Sequence, residues 1–350
     1  VAPSHPRHLT IAALCDVTRD LLAAALLAGF FFASALERAK ADLGGVGFWL
    51  PGSMGSLSAV PGQAGWSFTT VYLHLEANAG GGKELQNNAS IVTGLHARAD
   101  ALGFLPAYTF ETPVLGGQLT VGAVGVPGNV GLNIGATLTG PRGNQISGNA
   151  RDERATFADV YYLATLKWNQ GVNNFMWYVF GNIPSGTYDP ARLANLSPGY
   201  TAVDSGVGYT YLDPHTGHEL TAVAGFTYNG MNDALQYRNG IDFHFDWAVS
   251  QFVSKSVHVG IAGYVYQQVT GDSGAGAKLG DFKGHSVGIG PQIGIFFPAF
   301  EGYTGYLNIR GYWDVATENR PTTQFAMVTL SFAPSAPEKP TTPRGPRHLK

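Results

Sequence analysis

Asp242, His244 and Asp246 alternate with Phe243, Phe245 and Trp247 in the stretch IDFHFDWAVS. Successive side chains of an extended chain point to opposite sides, so the two carboxylates and the imidazole share one face and the rings the other. Neighbouring stretches add Asp204 and Glu219, and later Arg310 and Asp314, in the same phase of their own alternation. Opposed charges gathered on one surface can form the constriction that selects solutes in a channel, although each could equally serve as a polar wall residue. Asp213-Pro214-His215-Thr216-Gly217-His218-Glu219 carries metal-capable side chains, but Asp-Pro and Thr-Gly are turn chemistry. Gly80-Gly81-Gly82-Lys83 lacks the upstream glycine of a phosphate loop and reads as an outer loop. No catalytic, cofactor-binding or metal-binding residue is assigned.

The elements that must position these side chains are strands. Period-two alternation recurs at 218–228, 241–250, 285–297 and 303–314, and twelve such segments can be marked: 66–76, 90–112, 118–137, 157–168, 174–188, 200–212, 218–228, 241–252, 257–270, 285–297, 303–314 and 322–332. Most exceed the usual soluble strand of about five or six residues and match the roughly nine to eleven of a tilted membrane-crossing strand. Connections of about four or five residues alternate with longer ones at 77–89, 138–156, 189–199, 229–240 and 271–284. Short periplasmic turns, longer extracellular loops and an even strand count predict an all-β fold: a transmembrane antiparallel barrel of about twelve strands, in the bacterial outer membrane. Trp66, Trp168, Trp177, Trp247, Tyr228 and Trp313 lie near strand ends or on the apolar face, as interfacial girdles require.

Composition agrees. Of 350 residues, 45% are hydrophobic and 13% charged, about half the charge of an ordinary soluble domain. The 47 glycines disfavour helices. A net charge of −3 leaves no basic field for nucleic acid, and one cysteine, Cys15, excludes a disulfide framework. Residues 17–41 read as a signal peptide cleaved after Ala41, with 1–16 as upstream sequence. Segment 42–65 holds too much Gly and Pro for a strand and is expected to enter the lumen or its periplasmic mouth as a partial plug before a 66–332 barrel. Residues 333–350 read as a disordered Pro-rich tail.

The export signal, FWLPGSMGSLSAVPGQAGW at 48–66, the strand pair around 157–188 with GNIPSGTYDP, and GIDFHFDWAVSQFVSKSVHVGIAGYVYQQVTGD at 240–272 resemble the bacterial outer-membrane family grouped under the meta-pathway of phenol degradation, the SphA-like transporters. The resemblance covers roughly 45–332. It implies an outer-membrane channel for hydrophobic or aromatic compounds. The chain departs from the barrels of that class by continuing past Phe332, which leaves open how the assembly machinery reads its insertion signal.

The residues themselves are consistent with that implication. Predicted inward faces carry Tyr161, Tyr178, Tyr264, Tyr266 and Tyr306, with Phe180, Phe296, Tyr312 and Phe325. Rings offer area to apolar solutes without demanding ions, though large rings would also simply fill a narrow barrel. The expected function is passive uptake of hydrophobic or aromatic small molecules, with no cofactor and no enzymatic activity. Expected partners are outer-membrane lipid, such a solute and the barrel assembly machinery, and no nucleic acid. An outer-membrane lipid hydrolase and a structural or adhesive barrel are the alternatives.

Overall fold

Where the sequence alternates strictly, the chain pairs into antiparallel ladders, and their register decides which face each side chain takes. The computed structural model describes residues 47–84, 90–139, 144–277 and 283–337. The expected signal peptide, the residues before it and all but the first five residues of the expected tail lie outside the described residues. The strands are β1 (Gly65–Glu84), β2 (Ser90–Thr109), β3 (Gln118–Val124), β4 (Pro127–Thr139), β5 (Gln145–Phe157), β6 (Val160–Gln170), β7 (Asn173–Ile183), β8 (Ala202–Leu212), β9 (His218–Asn229), β10 (Asp242–Phe252), β11 (Val257–Gln268), β12 (His285–Pro298), β13 (Tyr303–Glu318) and β14 (Thr322–Pro334). Among the described residues no helix is long and apolar enough to cross a membrane.

β1 pairs with both β14 (Phe68↔Phe332 to Asn78↔Thr322) and β2 (Gly65↔Thr109 to Glu84↔Ser90). The sheet therefore closes through β1, β2, β3 and β6 to β14, a barrel of twelve strands. Closure gives every wall strand two neighbours, which an apolar medium demands of its backbone groups. Large apolar side chains ring the outside: Phe175, Val207, Phe226, Ile261, Ile289 and Ile309 are all exposed, as are Trp66, Trp177, Tyr228 and Trp313. A belt of this kind around the whole wall, rather than one patch, is the lipid-facing surface of a membrane barrel.

Two predicted loops are strands instead. Segment 77–89 contains the upper part of β1, including Gly80 and Gly81, and 138–156 contains most of β5. Beyond the level where β1 leaves β14, strands β1, β2, β4 and β5 continue as a four-stranded sheet on the long-loop side. On the outward face of this sheet Tyr72 gives way to His74 and Glu76, and Leu102 to Asp100 and Arg98. Tyr72 donates to Asp100 at 2.7 Å, and His74 Nδ1 lies 2.8 Å from the same carboxylate. That change from rings to charges marks the outer lipid boundary. β5 carries charge on both faces, Arg151 and Glu153 against Asp152 and Arg154, so it stands clear of lipid. Its inward Asp152 accepts the N–H groups of Leu193 and Ala194, both at 3.0 Å, and pairs with Arg192, fixing the 184–201 loop over the rim. Buried Asp159, at the β5–β6 corner, accepts Gly186 N–H at 2.9 Å and the Ser197 hydroxyl at 2.6 Å from the same loop.

Candidate functional site

The register turns Asp204 (β8), Glu219 (β9), Asp242, His244 and Asp246 (β10), and Arg310 (β13) into the lumen, together with Tyr161 (β6), Tyr178 (β7), Tyr264 and Tyr266 (β11), and Tyr306 (β13). They do not line open space. Asp204, Glu219, Asp242, His244 and Asp246 are each at most 2% exposed: residues 47–64, which form turns and no strand, contact Glu219, His244 and Asp246, while Asp204 and Asp242 are bonded to wall side chains.

The segment is held at named points. The Asp246 carboxylate accepts the N–H of Gly52 at 2.9 Å and of Met54 at 3.0 Å. Arg310 donates to Gly52 O at 3.1 Å, and the Tyr312 hydroxyl donates to the same oxygen at 3.3 Å. Glu219 accepts the Ser56 hydroxyl at 2.8 Å and Leu57 N–H at 3.1 Å. Thr210 accepts Ala59 N–H at 3.2 Å, and Lys167 donates to Val60 O at 3.3 Å. Pro51-Gly52 makes the turn that brings these groups together: Ser53 N–H returns to Leu50 O at 3.2 Å, with Gly52 at φ 79°. A turn with proline second and a left-handed third residue needs glycine there, and a Cβ on Gly52 would press on the rings of Tyr312 and Tyr264.

Two rings precede this turn. Phe48 packs against the stacked pair Tyr161 and Phe180, with centroids 5.8 and 5.3 Å away. Trp49 stacks on the His244 imidazole, centroids 3.8 Å apart at 14°, with Tyr178 at 6.0 Å and the edge of Phe180 at 6.2 Å. His244 is itself fixed in its plane. Its Nε2 lies 3.1 Å from Asp204 Oδ2 and 3.0 Å from the Tyr178 hydroxyl, which donates to Asp204 at 2.7 Å, while Thr227 donates to the other carboxylate oxygen at 2.6 Å. Inward glycines make room for this arrangement. A Cβ on Gly225 would run into the Tyr178 hydroxyl and the His244 ring, one on Gly288 into Tyr264, and one on Gly294 into His258.

Asp242 and Tyr306 sit apart from Trp49, whereas Tyr264 and Asp314 line a narrow cleft with it. Asp242 accepts Tyr266 at 2.7 Å and Asn229 at 2.8 Å nearer the outer rim. Asp314 accepts the Tyr264 hydroxyl at 2.6 Å. Tyr306 lies at the opposite end, 3.0 Å from His258 Nε2 and against Phe296. Asp213 forms a turn, accepting His215 N–H at 2.8 Å and the Thr216 hydroxyl at 2.9 Å. No cluster of three metal-capable side chains occurs among the described residues. Sequence reasoning passed over Gly284-His285-Ser286-Val287-Gly288, which spells the nucleophile-elbow pattern G-x-S-x-G. Most of it lies in β12, with Ser286 buried and inward, and no strand-to-helix turn exists there to present the hydroxyl. It also missed Thr210, Gln292 and Tyr312 as partners of the N-terminal segment, and His244 as the partner of Trp49, because no local pattern pairs positions so far apart.

Comparison with known proteins places this geometry in context. The structure is similar to the COG4313 outer membrane channel from Pseudomonas putida F1, at a TM-score of 0.58 and 14% identity over 79% of this chain and 96% of that one. Looser likenesses are a Pseudomonas aeruginosa FadL homologue (TM-score 0.38, 8% identity, 77% and 89% covered) and the CymD monoaromatic hydrocarbon channel (0.33, 7%, 85% and 97%). None of the curated proteins compared matches the sequence. The fold is therefore that of an outer-membrane barrel. The family model described as "Putative MetA-pathway of phenol degradation" matches residues 80–330, most of the chain, and the protein belongs to that family.

Proposed function

We propose that the protein is a passive outer-membrane channel for uncharged hydrophobic or aromatic small molecules, with residues 47–64 as a plug that must yield for a solute to pass. The observation that carries this reading is the pairing inside the lumen. Asp204 is paired within the wall, and Asp246, Glu219 and Arg310 are the groups that hold the segment, while the rings of Tyr161, Tyr178, Phe180 and Tyr264 line the wall around it. A plug held by hydrogen bonds and side-chain packing, with no strand pairing to the wall, can leave without breaking the wall, whose ladders run strand to strand. The aromatic lumen offers dispersion and quadrupole contacts to flat solutes, and the dry acid groups oppose anions. The similar Pseudomonas putida barrel is a channel, and the family name concerns phenol degradation. The reading extends to export through the 17–41 segment, lipid around the belt, insertion by the barrel assembly machinery and supply of a phenol-degrading pathway.

Single-channel conductance in planar bilayers tests the plug. Deleting residues 47–62 should raise conductance severalfold over that of the full chain. Equal conductance of the two would contradict it.

A further inference from the structure

We propose that the slot filled by the indole of Trp49 is a binding site for a flat, uncharged aromatic ring, and that such a solute competes with Trp49 for it, unseating the N-terminal segment. The proposal rests on the plug reading and adds what the plug recognises. The slot has the shape of a ring holder. One wall is the His244 imidazole, parallel to the indole at 3.8 Å, and another is the edge of Phe180, at 86° to it. A flat plate on one side and a perpendicular ring on the other leave room for a flat ring between them. Asp204 and Tyr178 hold the imidazole at Nε2, and Gly225 leaves room for it. The site is thus built into the wall and does not depend on the segment for its form.

Its present tenant fits imperfectly. Trp49 is 3% exposed, yet its Nε1 has no protein partner among the described residues, and neither does His244 Nδ1. A buried donor without a partner weakens docking, so the polar anchors of the segment lie elsewhere, at Asp246, Glu219 and Arg310. Trp49 is also the segment's approach side. Together with Leu50 and Pro51 it floors a narrow cleft whose rim, Arg320 and Pro321, lies at the β13–β14 turn on the long-loop side. A solute arriving from outside reaches Trp49 before the Asp246 clamp. Displacing the indole removes the stacking at one end and leaves the Pro51-Gly52 turn held by its hydrogen bonds and the packing of Leu50. Burial penalises a charge of either sign in the slot, and Asp204 behind the imidazole adds repulsion for anions, so the ligand class it favours is uncharged.

The test is equilibrium dialysis of radiolabelled phenol against the folded full chain in lipid nanodiscs, with empty nanodiscs subtracting partition into lipid. Trp49→Ala empties the slot and should bind phenol at least tenfold more tightly than the parent chain. Adding His244→Ala should abolish that gain, and labelled cyclohexanol, which has the hydroxyl but no aromatic face, should show no gain. Heat-modifiable migration verifies that each variant is folded, and Trp49→Leu replaces Trp49→Ala if the latter does not fold. Equal phenol binding by parent and variant, a gain that survives His244→Ala, or an equal gain for cyclohexanol would overturn the proposal. Failure here with conductance that still rises on deleting 47–62 rejects the slot and leaves the plug. A phenol gain with unchanged conductance supports the slot and rejects the plug.

Discussion

Removing the Asp246 carboxylate should loosen the plug by an amount the structure lets one work out. Asp246 accepts two backbone N–H groups, from Gly52 and Met54, at 2.9 and 3.0 Å, and is fully buried. Hydrogen bonds to a charged group contribute about 1.5–3 kcal/mol each. Asp246→Ala forfeits both, but water entering beside the shortened side chain recovers part of the loss, for a net of about 3 kcal/mol. At 1.4 kcal/mol per tenfold, the ratio of unseated to seated segment should rise roughly 150-fold. Asp246→Asn keeps a carbonyl that can serve one N–H and should give about half the free-energy change, on the order of tenfold. The assay is open probability in planar bilayers, where full opening should reach the conductance of the 47–62 deletion. Openings no more frequent in Asp246→Ala than in the parent would refute the reasoning that this carboxylate is the clamp. So would openings whose conductance falls far below that of the deletion.

Other outcomes follow from the same structure. Gly225→Val places a branched side chain where the Tyr178 hydroxyl and His244 lie, and overpacking costs typically about 1–3 kcal/mol; the folded band on unheated gels should be lost at a lower temperature than for the parent. Val207→Arg puts a charge on an outward, 61% exposed position in mid-strand, which should reduce the free energy of folding into vesicles by about 2–4 kcal/mol. Burial works to raise the pKa of Asp152, but Ala194 N–H, the Arg192 guanidinium and Leu193 N–H outweigh it and hold the carboxyl below its ordinary value. A depressed folded pKa means that the stabilisation is present above the unfolded pKa and is lost as pH falls through the folded one. Hydrogen exchange at the Leu193 and Ala194 amides, corrected for intrinsic rates, should therefore be protected at pH 6 and lose protection below about pH 4; protection that does not change between the two would contradict this.

Much of the wall was legible because alternation is a local signal. In β10 every odd position is apolar from Phe243 to Val249 and every even one from Asp242 to Ser250 is small or polar, so one residue of slip would invert the strand. β5 gave no such signal: QISGNARDERATF is polar on both faces, since neither face meets lipid. The upper part of β1 was taken for a loop because Gly80 and Gly81 have poor strand propensity, yet a ladder to β2 holds them extended. Val71 and Leu73 blurred the register of β1 for a different reason. They join the apolar cluster around Phe325 and Met327 inside the barrel, while Tyr72 between them reaches the lipid boundary. The break between β3 and β4 follows from Pro127, which has no N–H to give and begins a strand instead of continuing one. Glycine and proline also told that 47–64 is not a strand. What they could not tell is where the segment binds, because Gly52 meets Asp246 across 194 positions and Trp49 meets His244 across the lumen.

The central claim concerns passage of uncharged aromatic molecules, and solute flux tests it most directly. Liposomes containing the full chain, the 47–62 deletion or no protein would be loaded with an indicator for a poorly membrane-permeant aromatic, and entry followed beside that of a charged sugar of similar size. The account predicts faster aromatic entry with the full chain than without protein, still faster entry with the deletion, and exclusion of the charged sugar by the full chain. Aromatic entry no faster with either protein than in empty liposomes would contradict it.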